Sequence, residues 1–293
     1  HYRQKIWELL LNDNALVIHF YYGKPSKKGR IKQLDFNAEP IKKNQKRLHE
    51  VKNIRVNNII IWQTGVIPAC LFKTPGACFF LFNIHIVSTW LAAFICRIKG
   101  IKVVFWGHGL YGKESCIKKK TSVFFHRLAH HHLLYNHRAK NLLQKNGINP
   151  KKMDVIFNSL NYDLIKHYRR KFEKLEKSKH LSFFSYPDLP LLIFIGRLTN
   201  AKKLDILIDA FMCLNQNDIK YNLLLIGDGE EKENLKTKAN EFIQKGCIYF
   251  YGPSYNEEEN GKYLSLADLC VSPGNVGLTA IHSLSYGTPV ITH

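Results

Sequence analysis

Acidic residues are scarce over most of this 293-residue chain: residues 1–188 hold 34 Lys and Arg but 11 Asp and Glu, a net of +23. Residues 189–293 hold 9 and 12, a net of −3. The scarcity excludes a self-neutralised surface for the first part, which is expected to meet an anionic partner: lipid headgroups, nucleic acid or a phosphorylated acceptor. Paired cysteines are also missing. The seven cysteines (70, 78, 96, 116, 213, 247, 270) are odd in number and hold no C-x-x-C. That pattern predicts reduced thiols packed as small apolar residues and argues against a disulfide framework or a zinc site. Long apolar runs are absent too. The most apolar stretch, Cys78 to Cys96, is broken by Asn83, His85, Ser88 and Thr89. It reads as a buried strand (78–84) and a short helix (89–98), not a membrane span. No signal-peptide pattern, internal repeat or low-complexity tract is visible. The 45% apolar and 12% aromatic content is that of a globular chain, of a length suited to two domains.

What is present is a strand-to-loop-to-helix pattern repeated three times in the last hundred residues. Leu191–Ile195 runs into Gly196-Arg197-Leu198, with Lys202 on the opening turn of a helix. Leu223–Ile226 runs into Gly227-Asp228-Gly229. Leu269-Cys270-Val271 runs through Ser272-Pro273 and Gly274-Asn275-Val276-Gly277-Leu278-Thr279 into a helix ended by Gly287, and Thr288–Ile291 follows as a strand. Continuous apolar strands alternating with amphipathic helices predict a parallel sheet covered on both faces. Ligands of such sheets bind at the carboxyl ends of the strands. There Arg197, Lys202 and the 274–279 loop are expected to gather, a guanidinium, an ammonium and a glycine-rich helix start suited to a diphosphate. Solvated cations and a tight structural turn are the plainer alternatives.

Upstream, strands are expected near 15–20, 58–62, 78–84, 102–106, 132–135 and 153–157, and helices at 3–11, 89–98, 121–129 and 137–146, the last ended by Gly147. Residues 23–47 read as a basic loop. The segment 166–188, with a charged helix at Lys166–Lys179, reads as a linker, which puts a basic first domain at 1–188 and a second at 189–293. The sheet lacks its usual opening strand and its closing helix, so both ends are expected to be truncated.

His108, between Gly107 and Gly109 after a strand, suits a side chain exposed in a cleft or one filling a turn. Glu114 nearby reads as an acid/base group or a solvated loop carboxylate. His126, His130, His131, His132 and His137 invite a metal reading, but alternation along a strand sends neighbours to opposite faces, so no metal is expected. Four basic runs (24–30, 42–47, 118–120 and 169–171) favour docking on an anionic bilayer over nucleic acid, since no nucleic-acid-binding module accompanies them.

Gly196-Arg197-Leu198 with Lys202, Gly227-Asp228-Gly229, Phe250-Tyr251-Gly252, Ala267-Asp268, Ser272-Pro273, Gly277-Leu278 and Gly287-Thr288-Pro289-Val290 together resemble the family 4 (group 1) glycosyltransferases. The resemblance covers about 190–293 and is diffuse before it, where Phe105–Gly109, Leu134-Tyr135-Asn136, Gly147 and Asn158-Ser159 are similar to bacterial polysaccharide transferases. It implies the GT-B architecture, α/β with two Rossmann-like doubly wound parallel-sheet domains facing across a cleft. It also implies a retaining transferase with neither metal nor other cofactor, and no D-x-D motif contradicts that. Carried onto this sequence, Arg197 and Lys202 would neutralise the donor diphosphate, with Gly196 and Gly274–Thr279 around it. Tyr251 and Gly252 would border the base, and His108 would stand beside the transferred sugar. The family commonly carries two glutamates eight positions apart; here those positions are Gly274 and His282. His282 is expected to bond a ribose hydroxyl and Asn275 to replace the other carboxylate. The implied function is transfer of a sugar from a nucleotide-diphosphate donor to a saccharide, lipid-linked acceptor in cell-surface polysaccharide synthesis, peripheral at the cytoplasmic face of the plasma membrane. A nucleotide-sugar epimerase and a non-catalytic nucleotide-sugar binding module are the alternatives.

Overall fold

In the computed structural model the chain divides into two compact units, His1–Asn158 and Ser159–His293. The structure describes residues 4–23, 39, 41–57 and 60–292. The basic run at 24–30 therefore lies outside the described residues.

In the first unit α1 (Gln4–Asn12) precedes β1 (Phe20–Gly23), which pairs in parallel with β2 (Leu48–Val51). β3 (Asn53–Val56) and β4 (Ile60–Gln63) form an antiparallel pair. α2 (Val66–Phe72) then leads into a parallel sheet of β5 (Ala77–Leu81), β6 (Lys102–Gly107), β7 (His131–Leu134) and β8 (Met153–Val155), adjacent in that order. The crossovers are α3 (Val87–Ile98), α4 (Cys116–His126) and α5 (His137–Lys145). The Asn136 side chain accepts the Ala139 N–H at 2.8 Å and so starts α5, and Gly147 (φ +84) follows its end.

Three expectations change here. The strand expected near 15–20 begins only at Phe20 and runs to Gly23, where its pairing with β2 starts. Residues 60–62 belong to a hairpin, not to the parallel sheet, because β4 pairs with β3 from Asn53↔Gln63 to Val56↔Ile60. α4 begins at Cys116 rather than 121, since Lys118–Lys120 lie on its exposed side while Ser122, Val123 and His126 are buried. Three cysteines far apart in sequence meet in this unit: the sulfurs of Cys70, Cys78 and Cys96 all lie within 4.8 Å of one another.

The second unit begins with α6 (Tyr162–Lys171) and α7 (Lys177–His180). β9 (Leu191–Ile195), α8 (Leu204–Leu214), β10 (Asn222–Ile226), α9 (Lys232–Lys238), α10 (Asn240–Gln244), β11 (Ile248–Gly252), α11 (Glu257–Leu266), β12 (Leu269–Ser272), α12 (Thr279–Ser285) and β13 (Val290–Thr292) follow. The division falls well before residue 188, and 166–188 is not a linker. Ile165, Leu181 and Phe184 are buried in one apolar core with Ile193 and Leu264. The Asn222 amide also donates to the Tyr186 carbonyl at 2.6 Å. Instead of one charged helix there are two, and the run Arg169-Arg170-Lys171 belongs to this second unit. The first unit thus holds 27 Lys and Arg against 7 Asp and Glu, net +20, and the second holds 16 of each.

The five parallel strands lie in the order β11-β10-β9-β12-β13. From β9 the chain winds outward through β10 and β11, then returns to the other side of β9 with β12 and β13. The winding direction therefore reverses between β9 and β12, and a sheet opens a crevice at the carboxyl ends of the strands flanking such a reversal. Every residue of β9 and β10 is buried, as strands covered on both faces require. Among the described residues no helix is long and apolar enough to cross a membrane.

Candidate functional site

The loops leaving β9, β10, β11 and β12 are knitted together by main-chain bonds at this edge. Gly196 N–H donates to Ile226 O at 2.9 Å, Leu198 N–H to Asp228 O at 3.0 Å, and Gly227 N–H to Gly252 O at 2.8 Å. Asn275 N–H donates to Ala201 O at 2.9 Å. The loops approach so closely that side chains are excluded. A Cβ on Gly227 would stand 1.8 Å from Gly196 O, and one on Gly274 2.3 Å from Ala201 O. The Thr279 hydroxyl, buried, donates to Ile195 O at 2.9 Å and ties the start of α12 to the end of β9.

Arg197 is exposed on this edge and Lys202 is half-buried. Lys202 ends a three-ten turn, Asn200–Lys202, rather than opening α8. Lys203, left-handed at φ 50 and ψ 44, separates the two and turns its own side chain outward. Such a conformation costs a β-carbon-bearing residue free energy and persists only where its surroundings impose it. The turn aims the Lys202 ammonium at the 274–279 loop, where it donates to the carbonyls of Asn275 and, at 3.4 Å, Val276. A Cβ on Gly277 would lie 3.7 Å from it. Burial, and then the neighbouring Arg197 charge, lower the Lys202 pKa. The two cations thus share one neighbourhood, and among the described residues neither pairs with a carboxylate. The edge as built is an electrostatic complement to a multivalent anion.

The loop amides are less free than the sequence suggested. Asn275 N–H is taken by Ala201 O, and Thr279 N–H by Val276 O at 3.2 Å. α12 spans seven residues, so its dipole is a minor contribution beside the two side-chain charges.

His282, one helical turn beyond Thr279, does not stand alone. Its Nε2 lies 2.8 Å from Glu257 Oε1, and the same oxygen accepts the Tyr286 hydroxyl at 2.9 Å. The fold thus brings a carboxylate from the start of α11 to the position where the sequence has histidine instead of glutamate. The acidic run Glu257-Glu258-Glu259 was its only trace in the sequence. Tyr251 packs on the core beside Tyr263, and its hydroxyl donates to Glu259, which also accepts the Ser254 hydroxyl. Burial, then that carboxylate, push the Tyr251 phenol up. A cavity of about 500 Å³ lined by Tyr162, Arg169, Arg170, Ser265 and Tyr286 shares no residue with the Arg197–Lys202 edge.

In the first unit His108 is exposed after β6, its ring 5.5 Å from that of Tyr111 and 4.7 Å from that of Tyr135. Glu114 staples its loop, accepting the amides of Tyr111 at 2.6 Å and Gly112 at 2.8 Å. Burial alone would raise its pKa, but these amides outweigh burial and lower it. The histidine cluster disperses. His131 pairs with Asp154 at 2.8 Å, His130 accepts the Val103 amide at 2.9 Å, and His126 and His132 are buried with ring centroids 5.1 Å apart.

A parallel sheet whose winding reverses beside its central strand defines a Rossmann-like unit, and an exposed arginine and a half-buried lysine lie in the loops at that reversal. Residues 176–293 match the model of the glycosyl transferases group 1 family, and the chain has the GT-B fold of two Rossmann-like units. The chain is 29% identical over 168 residues to an uncharacterized glycosyltransferase of Methanocaldococcus jannaschii, covering 53% of this chain and 40% of that protein. It is 28% identical over 123 residues to soluble starch synthase 1 of Solanum tuberosum, covering 41% of this chain and 19% of that protein. The match thus spans less than half the length of these curated relatives. Among solved structures, Anabaena Alr3699/HepE in complex with UDP-glucose superposes with a TM-score of 0.60 at 17% identity, over 88% of this chain and 71% of that one.

Proposed function

We propose that this protein is a retaining glycosyltransferase moving a sugar from a nucleotide-diphosphate donor to a saccharide acceptor. One observation carries the reading: Arg197 and Lys202, neither paired with a carboxylate among the described residues, lie in the loop after β9 where the sheet reverses its winding, with the Lys202 ammonium held on the 274–279 loop. As the sugar–phosphate bond lengthens, negative charge grows on the departing diphosphate. Two cations already held in place stabilise that charge, commonly the largest single contribution to such a rate. The diphosphate oxygen freed on that face can accept the proton of the incoming hydroxyl, so configuration is retained without a protein nucleophile. His282, held by Glu257, is assigned to the ribose hydroxyls, and His108 is the first-unit residue proposed to take part in transfer. HepE is complexed with UDP-glucose, so uridine is the first base to test.

The acceptor is proposed to be lipid-linked and the protein to be peripheral at the cytoplasmic membrane face, working in cell-surface polysaccharide synthesis. Support comes from the net +20 of the first unit and the exposure of Lys118–Lys120 on α4. Each cation near an anionic bilayer contributes about 1 kcal/mol.

The test is a screen of UDP-, GDP- and dTDP-sugars for raised melting temperature, followed by incubation of the stabilising donor with and without saccharide acceptors. Acceptor-dependent release of the nucleoside diphosphate is expected, since a specific ligand stabilises by mass action. Isomerisation of the donor without acceptor would make the protein an epimerase, and stabilisation without turnover a binding module.

A further inference from the structure

Three of the seven cysteines meet in the first unit although they are far apart in sequence. Cys70 comes from the last turn of α2, Cys78 from β5 and Cys96 from the last turn of α3. All three sulfurs lie within 4.8 Å of one another. We propose that Cys70, Cys78 and Cys96 form a three-thiolate binding site for a thiophilic divalent cation of the zinc type.

The dimensions fit. Zinc–sulfur bonds of about 2.3 Å in tetrahedral array put neighbouring sulfurs about 3.8 Å apart. The thiols therefore need only rotamer-scale shifts to close on an ion. Their positions are set by the fold, not by a flexible loop. Lys99, the residue after α3, donates its ammonium to the carbonyls of Cys70 at 3.0 Å and Lys73 at 3.2 Å, and also to that of Leu71. This bridge fixes the end of α2 against the end of α3, so the Cys70 and Cys96 side chains arrive together. Val66, Ala92, Ala93 and Val103 close the cluster on its apolar side. Cys70 and Cys96 are buried and Cys78 is half-buried, which leaves one approach for an ion and for a solvent-derived fourth ligand.

Charge selects the divalent class. Three thiolates and a divalent ion sum to −1, which the Lys99 ammonium beside Cys96 offsets; a monovalent ion would leave a second negative charge in an apolar core. Thiolates are soft ligands, which favours zinc over magnesium or calcium. Each coordinating thiol gives up its S–H proton to solvent as its metal–sulfur bond forms, with no change of oxidation state. The cation would pin α2 and α3 to an edge strand of the four-stranded sheet.

The experiment uses the full chain, reduced and freed of metal, titrated with zinc against a chromophoric chelator and separately with cadmium. One equivalent of zinc is expected, with a raised melting temperature and a cadmium–thiolate charge-transfer band of three-thiolate intensity. Cys78→Ser should lose stoichiometric uptake while keeping its circular-dichroism spectrum, and the exposed-site changes Cys116→Ser and Cys213→Ser should leave uptake intact. The cadmium band counts thiolates in the unaltered protein, so the answer does not depend on Cys78→Ser folding. No uptake by protein with all seven thiols titratable, uptake unchanged in Cys78→Ser, or a band of fewer than three thiolates would each overturn the proposal.

Discussion

The two units build parallel sheets from different material. In the second, β9 and β10 are buried at every residue and their charges balance. In the first, edge strand β5 leaves Phe79 63% and Leu81 50% exposed, and the unit carries the whole net +20. Among the described residues, buried histidines are likewise confined to the first, where His126 and His132 sit in the core with nitrogens lacking hydrogen-bond partners. The contrast separates two tasks. On the proposed function, the neutral, fully covered scaffold would position a few charges for chemistry, while the basic, loosely covered one would offer surface.

The comparison would break first at Arg197. Its exposed side chain carries no core, so Arg197→Ala should leave the melting temperature nearly unchanged and lower turnover about a hundred- to a thousandfold, the scale of losing one preorganised contact to developing charge. Near-normal turnover would remove the second unit's claim to the chemistry.

Acid should separate the units next. Burial lowers the His132 pKa to about 4 and holds that of His126 well below the usual value. In the unfolded chain both titrate near 6.5, so the unfolded state binds more protons between these limits. Stability is then full above about pH 6.5 and is lost as pH falls towards 4, by about 3 kcal/mol for His132. Denaturant melts followed by histidine and tryptophan signals should show the first unit failing first, and His132→Phe should flatten the slope.

Gly274→Ala probes the packed loops. With a Cβ 2.3 Å from Ala201 O, it should cost about 1–3 kcal/mol, whereas Gly76→Ala, with nothing within 4 Å, should stay within about 0.5 kcal/mol. Equal melting temperatures would mean the 274–279 loop yields easily. The smallest effect belongs to the surface. Replacing Lys118–Lys120 by alanine should weaken flotation with anionic vesicles by about 1 kcal/mol per residue, and added salt should erase the difference.

How much of this was legible follows from burial. β9 lies at 191–195 as expected, because a strand covered on both faces must be a continuous apolar run. α6 was mistaken for part of a linker because Ile165 is a single buried residue among Lys166, Arg169 and Arg170. β4 falls on the strand expected near 58–62, whereas β3 escaped notice because Asn53-Ile54-Arg55-Val56 alternates over only four residues and buries none of them. Arg197 could be placed at the strand's end because it follows β9 by two residues, whereas Lys202 lies on a three-ten turn and not on the helix start expected for it. The Glu257–His282 pair and the three converging cysteines were not, since each joins elements that only the folded chain brings together.

The Thr279 hydroxyl bond to Ile195 has a consequence for how the unit would respond to its ligand. It couples the first residue of α12 to the last residue of the central strand, while Gly274 leans on the turn that carries Lys202. Ammonium, loop and helix therefore form one stiff piece. An anion held at that ammonium would meet a loop already braced against the sheet's central strand and would need little rearrangement of it.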